Sequence, residues 1–131
     1  DTDSGGVVYN ANYLKFMERA RTEWLRSLGF DQDELIRKEK VIFAVRTVTL
    51  EFLKPARFND LLQVTVNLLE KAGASLVFVQ QIECAPSQNG NGIKENTVLC
   101  TGQVKIACLN SDTFKPTRIP DYLLAEITCD N

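Results

Sequence analysis

Apolar residues recur at spacings of three or four between Tyr9 and Leu28, through Tyr13, Phe16, Met17, Ala20 and Trp24. That period puts them on one stripe and predicts a single long amphipathic helix over 9–28. Lys15, Glu18, Arg19, Thr22, Glu23 and Arg26 fall on the opposite face. Gly29 follows the last apolar turn and suits a left-handed C-terminal cap, while Asn10 or Asn12 suits the other end. Asp31-Gln-Asp-Glu34 resembles a capping box and predicts a short second helix over 31–38.

After residue 40 the period drops to two. Over 41–53, Ile42, Ala44, Val48, Leu50 and Phe52 share one face, interrupted by Arg46. Over 61–69, Leu62, Val64, Val66 and Leu68 alternate with Gln63, Thr65 and Asn67. A third strand is predicted at 75–84 and a fourth at 97–109, where Val98, Cys100, Val104, Ile106 and Cys108 share a face with Gly102 among them. Gly73 marks a tight hairpin between strands two and three. The polar, turn-rich stretch Pro86 to Asn96 predicts a hairpin loop, and Pro116 and Pro120 precede a short helical tail at 120–127. A long helix followed by antiparallel strands makes an α+β domain in which the helix buries its stripe on one sheet face. Four strands are predicted here, with a fifth expected upstream of residue 1, because the chain opens at Asp1 inside its most motif-like segment.

Composition narrows the chemistry. At 131 residues the chain fits one domain with one core, residues 1–131. Its formal net charge of −2 gives no electrostatic case for nucleic acid. No apolar run approaches the ~18 residues of a membrane span. There is no histidine, which excludes imidazole triads and histidine-containing zinc sites. Cys84, Cys100, Cys108 and Cys129 contain no pair spaced like a zinc knuckle or redox motif. No metal and no cofactor is expected, and reduced, packed thiols fit a cytoplasmic setting.

The opening Asp-Thr-Asp-Ser-Gly-Gly-Val-Val-Tyr-Asn-Ala-Asn-Tyr places carboxylates before the predicted helix start, across Gly5-Gly6. A helix N-terminus offers unpaired N–H groups and a positive dipole end. Glycines let backbone approach a ligand. Together these can hold an acyl carbonyl against N–H donors with a carboxylate beside it. Taken locally, the same segment also reads as an ordinary turn and cap.

The stretch DTDSGGVVYNANYLKFMERARTEWLRSLGF, followed by LEFLKPARFNDLLQV, resembles the 4-hydroxybenzoyl-CoA thioesterase superfamily, closest to the Tol-Pal-associated acyl-CoA thioesterases of YbgC type. The likeness runs from residue 1 to about 124. It implies a hotdog fold, a long helix wrapped by an antiparallel sheet of about five strands. It also implies dimers or tetramers with active sites at the dimer interface. On this resemblance the substrate is an acyl-CoA, hydrolysed to free acid and CoA. The family's catalytic carboxylate falls on Asp3 rather than Asp1, and the backbone N–H near Asn10 polarises the thioester carbonyl. Many relatives carry histidine where this chain has Asn10, and an amide does not exchange protons near neutral pH. A thiolate leaves readily, its thiol having an ordinary pKa of about 8.5, so a carboxylate suffices as nucleophile or general base.

Coenzyme A carries phosphates, so local cations are needed. Arg46, Lys54, Arg57 and Lys71 are the candidates, each also readable as a solvated surface charge. Gly6 and Tyr9 complete the expected substrate-binding set. Tyr9, Tyr13 and Trp24 are read as core, one of them lining an acyl pocket. Glu18 and Arg19–Arg21 are read as a structural ion-pair group. Hydratase chemistry is disfavoured by the absent histidine. A non-catalytic hotdog scaffold that binds acyl groups, or docks on acyl carrier protein or a membrane-associated complex, is the alternative. The expected partners are acyl carrier protein or Tol-Pal-associated proteins, and the expected location is cytoplasmic or peripheral at the inner membrane.

Overall fold

A computed structural model describes residues 2–56, 61–85 and 95–128, with side chains from residue 12 onward. Its elements run α1 (Thr2–Ser27), α2 (Gln32–Glu39), β1 (Val41–Phe52), β2 (Leu62–Lys71), β3 (Ser75–Cys84), β4 (Thr97–Asn110) and α3 (Asp121–Glu126). The strands form one antiparallel sheet in the order β1-β4-β3-β2, four strands among the described residues. The predicted α+β architecture and strand positions hold. The expected loop at 86–96 lies outside the described residues except for its last two.

The ends of the first helix follow local chemistry. Gly29 is left-handed at φ 93. Its N–H donates to the Arg26 carbonyl at 2.9 Å, and that of Phe30 to the Leu25 carbonyl at 3.3 Å, closing α1 in a Schellman pattern. Asp31 caps α2, its Oδ1 accepting from the Asp33 N–H at 2.8 Å. The start of α1 departs from expectation: the helix begins at Thr2 rather than Tyr9, so Asp3, Gly5 and Gly6 lie in its first turns and not in a preceding loop. Once a buried stripe holds a helix, each added residue gains a backbone hydrogen bond, and this outweighs the poor propensity of two glycines.

The parity of β1 is also corrected. The β1–β4 register slips between Val45 and Thr47, leaving Arg46 as the extra residue of a β-bulge. Before the bulge Phe43 and Val45 pair with Cys108 and Ile106; after it Val48, Leu50 and Phe52 pair with Val104, Gly102 and Cys100. Directly paired residues share a sheet face. The helix-facing set is therefore Phe43, Val45, Val48, Leu50 and Phe52, while Ile42 and Ala44 point the other way. An uninterrupted two-residue period, as read from the sequence, cannot accommodate the inserted residue.

Helix and sheet meet closely where Met17, fully buried, lies over Gly102. A Cβ on Gly102 would come within 2.9 Å of Met17 Cε and 3.0 Å of Leu50 Cδ2. Gly102 thus lets the helix settle against β4. Around Tyr13 and Met17 one core cluster gathers Ile82 and Cys100. A larger one collects Leu25, Val41, Leu68, Phe78, Val104, Ile119, Leu123 and Ile127.

Gly102→Val should lower unfolding free energy by about 1–3 kcal/mol through overpacking, read as a shifted urea midpoint with unchanged slope. Burial pushes the Cys108 thiol from an ordinary 9.0 up to about 11. The unfolded chain therefore loses this proton first as pH rises. The stabilising contribution is whole below the ordinary value and drains away as pH climbs toward about 11. Cys108→Ala should flatten that alkaline decline in thermal melts, beyond any uniform loss of stability.

Candidate active site

The sheet row beneath Met17 contains an unexpected polar residue. Gln80 pairs with Gly102 on β4 and with Val66 on β2, on the helix-facing side of β3 between Phe78 and Ile82. It is fully buried. Its Nε2 donates to the Met17 carbonyl at 3.0 Å and, at 3.5 Å, to the Thr65 carbonyl. Its Oε1 accepts from Arg21 Nη1 at 2.8 Å. One amide therefore ties the helix backbone to the sheet and holds a cation one turn farther along α1. Burial holds Arg21 below its ordinary pKa, and the charge of Glu18 partly offsets this. The sequence reading grouped Arg21 with Glu18 and missed Gln80. The signal was there, since Gln80 takes an apolar-face position in the alternation Leu76, Phe78, Gln80, Ile82.

Beyond this row lies a cavity of about 250 Å³ lined by both α1 and the sheet. Leu25, Leu76, Phe78, Ile106, Leu123 and Ile127 line it and are buried, while Glu18, Gln32 and Val45 line it and are exposed. The exposed three mark the mouth, which opens beside the β1 edge. Trp24 and Phe43 form part of the wall, and Trp24 meets Phe78 edge-on with ring centroids 5.1 Å apart.

The sequence-predicted site residues are distributed as follows. Asp3, Gly6, Tyr9 and Asn10 lie in the first turns of α1, and their side chains fall outside the described residues, as does Arg57 entirely. Arg46 is exposed on the bulge, directly after Val45 at the cavity mouth. Lys54 is exposed just past β1, where its N–H donates to the Leu99 carbonyl at 3.2 Å. Eight residues of extended chain separate it from Arg46, roughly 25 Å along the strand direction, so one chain does not bring these two cations together. Lys71 is engaged elsewhere: its Nζ donates to the carbonyls of Leu124 at 3.0 Å and Ile127 at 2.7 Å. Tyr13 is buried and stacks on Phe52 with centroids 5.8 Å apart.

A long helix laid on a four-stranded antiparallel sheet, with a cavity between them opening at a sheet edge, is the hotdog architecture of thioesterases. The chain belongs to the Thioesterase-like superfamily, whose family model matches residues 1–127. It is 42% identical over 126 residues to the acyl-CoA thioester hydrolase YbgC of Escherichia coli O6:H1, covering 96% of this chain and 87% of that protein. It is 38% identical to the acyl-CoA thioesterase YbgC of Haemophilus influenzae, covering 95% and 85%. Among solved structures, a probable thioesterase from Bartonella henselae superposes with a TM-score of 0.69 at 34% identity, covering 86% of this chain and 84% of that one. Among the described residues no helix is long and apolar enough to cross a membrane.

Gln80→Ala should lower unfolding free energy by about 1–3 kcal/mol, because the buried Met17 carbonyl and the Arg21 guanidinium lose a shared partner. In a double-mutant cycle with Arg21→Ala the two losses should fall short of additive; strict additivity would show that the pair is not coupled.

Proposed function

We propose that Asp3 carries out the hydrolysis of an acyl-CoA thioester in this chain, with main-chain N–H groups at Asn10 polarising the carbonyl. The chain is an acyl-CoA thioester hydrolase, an assignment resting on 42% identity to a relative of that activity across 96% of its length. The carboxylate either attacks the thioester carbon or takes a proton from the attacking water, and the thiolate of CoA leaves without needing a strong acid. Without histidine anywhere in the chain, no imidazole assists.

The N–H of Asn10 becomes a free donor only where α1 begins near Tyr9. The reading therefore includes opening of the turns that carry Ser4-Gly5-Gly6-Val7-Val8. Gly5 and Gly6 reduce the cost of that opening without removing it, each being about 1 kcal/mol less favourable than alanine in a helix interior. Gly6 then lets the backbone approach the thioester, and Tyr9 flanks it. Arg46, Lys54 and Arg57 are assigned to the phosphates of the coenzyme. Val45, Val48 and Phe52 on the β1 edge strand are 52%, 39% and 46% exposed, which supports a homodimer, or a tetramer built from it, covering that edge. Acyl carrier protein or Tol-Pal-associated proteins are the proposed partners. The buried free thiols Cys100 and Cys108 support a reducing, cytoplasmic setting, from which the protein can also meet the inner membrane peripherally.

Asp3→Asn should cut kcat by about a hundredfold or more while leaving the circular dichroism spectrum and melting temperature in place. The measurement is release of free CoA thiol across a panel of acyl-CoA esters. Full activity in the variant would remove Asp3 from the mechanism. Tight acyl-CoA binding without turnover in the wild type would instead mark the chain as a non-catalytic acyl-binding domain.

A further inference from the structure

We propose that the turn after β4, with Phe114 at its tip, is the surface by which this protein touches an anionic lipid bilayer. This rests on the peripheral-membrane reading above and names the residues that carry it. It is independent of the hydrolysis chemistry.

Phe114 has no packing explanation within the fold. It is 65% exposed, yet its backbone is left-handed at φ 60. That conformation is costly for a bulky side chain and is ordinarily left to glycine or asparagine. Packing does not offset the cost, because most of the ring meets solvent. The backbone is instead held by its own hydrogen bonds. Asn110 Oδ1 accepts from the N–H groups of Asp112 at 2.8 Å and Thr113 at 3.1 Å. The Phe114 N–H donates to the Asn110 carbonyl at 2.8 Å, and the Asn110 N–H to the Lys115 carbonyl at 2.8 Å. Leu109 and Pro116 pair at the base of the turn. A strained residue held this firmly, with no return in packing, argues for a function. An aromatic ring on a fixed turn enters an apolar phase with little further ordering cost.

The surroundings say which phase. Lys115 follows the ring directly and is exposed. Lys40, the C-cap of α2, is tied to the turn. Its carbonyl accepts from the Ser111 N–H at 2.8 Å, and its Nζ lies 3.4 Å from Asp112 Oδ2. Arg37 and Lys38 occupy the last turn of α2, both exposed, and Ile36, one turn before Lys40, is 40% exposed. On a chain of net charge −2, four cations thus lie on two adjoining segments beside one apolar tip. The nearby carboxylates are engaged elsewhere. Asp112 is paired with Lys40. Glu39 and Glu34 act on Tyr122 of α3, whose phenol partial burial and their charges push above its ordinary value. An apolar tip beside lysines and arginines suits the headgroup region of an anionic bilayer, with the ring at the acyl boundary and the cations on phosphates. A projecting tip offers no groove for a helix or strand, so an acidic protein fits it less well.

The test is sedimentation of the full chain with vesicles of phosphatidylcholine, alone or mixed with phosphatidylglycerol. The wild type should bind the mixed vesicles, and less so in high salt. Phe114→Gly should weaken binding by about tenfold, the worth of burying one large apolar side chain. It should also raise the melting temperature, because glycine accepts the left-handed backbone. Lys115→Gln should weaken binding by about fivefold, the worth of one cation near an anionic surface. Phe114→Trp should retain binding. Release of CoA should be unchanged in all three variants, which separates this surface from the Asp3 reading. Wild-type binding that Phe114→Gly leaves intact would overturn the surface and spare the peripheral-membrane reading. No binding of the wild type to either vesicle would overturn both. A lowered melting temperature in Phe114→Gly would make Phe114 a packing residue and overturn the proposal. Capture of an acidic carrier protein through Phe114, with no vesicle binding, would overturn it in favour of a protein partner.

Discussion

The seating of Met17 over Gly102 governs how far α1 stands from the sheet, and most other features follow from that height. Gly102 is flanked on the same sheet row by Leu50 and Gln80, so the glycine is a depression between two larger side chains. Met17 drops into it. That brings its carbonyl within reach of the Gln80 amide, which then has its oxygen free for Arg21 one turn on. A buried amide is costly unless satisfied. Here every buried side-chain polar atom among the described residues has a hydrogen-bond partner. The amide fixes helix register as well as height, because only one carbonyl position on α1 can meet it. On the Tyr13 side of this row lies the smaller core cluster, and on the Trp24 side the larger one, with the cavity beside it.

Much of this was legible in the chain. The three-to-four spacing around Tyr13, Met17 and Trp24 gave the helix, and the two-residue alternation gave all four strands close to their true limits. The Asp31 cap and the left-handed Gly29 were readable because each depends on a few neighbouring residues. The parity of β1 was not. Arg46 stood out as a charge breaking an apolar face, but its cause is an inserted residue opposite β4, and pairing between strands is absent from a one-strand pattern. Gln80 showed as a polar residue in an apolar slot, yet its partners are the Met17 carbonyl and Arg21, both about sixty positions away. The cavity is harder still, since its lining comes from α1, Gln32, β1, β3, β4 and the α3 segment, which only the finished fold assembles.

The candidate site divides along the same line. The motif that points to Asp3 and Asn10 is local and was carried by resemblance, and the family match across residues 1–127 shows the superfamily alone. The cavity is nonlocal and emerged from the packing. The two are consistent in chemistry: a good leaving group relaxes the demand for proton transfer.

Lys71 shows how the fold redistributes charge that the sequence leaves undecided. On a chain of net charge −2, each cation spent on structure is one fewer for the coenzyme's phosphates. Lys71 is bound to the carbonyls at the end of α3, and Arg21 is held by Gln80. Among the described members of the candidate set, Arg46 and Lys54 remain exposed, the first at the middle of β1 and the second just past its end. Two cations roughly 25 Å apart cannot meet the same phosphate group. Both belong to the β1 edge and its exit, the edge with exposed Val45, Val48 and Phe52. If a second copy pairs along that edge in antiparallel sense, its Lys54 side approaches this chain's Arg46 side. On the proposed reading, gathering cations for the coenzyme and covering the apolar edge are then satisfied by the same assembly.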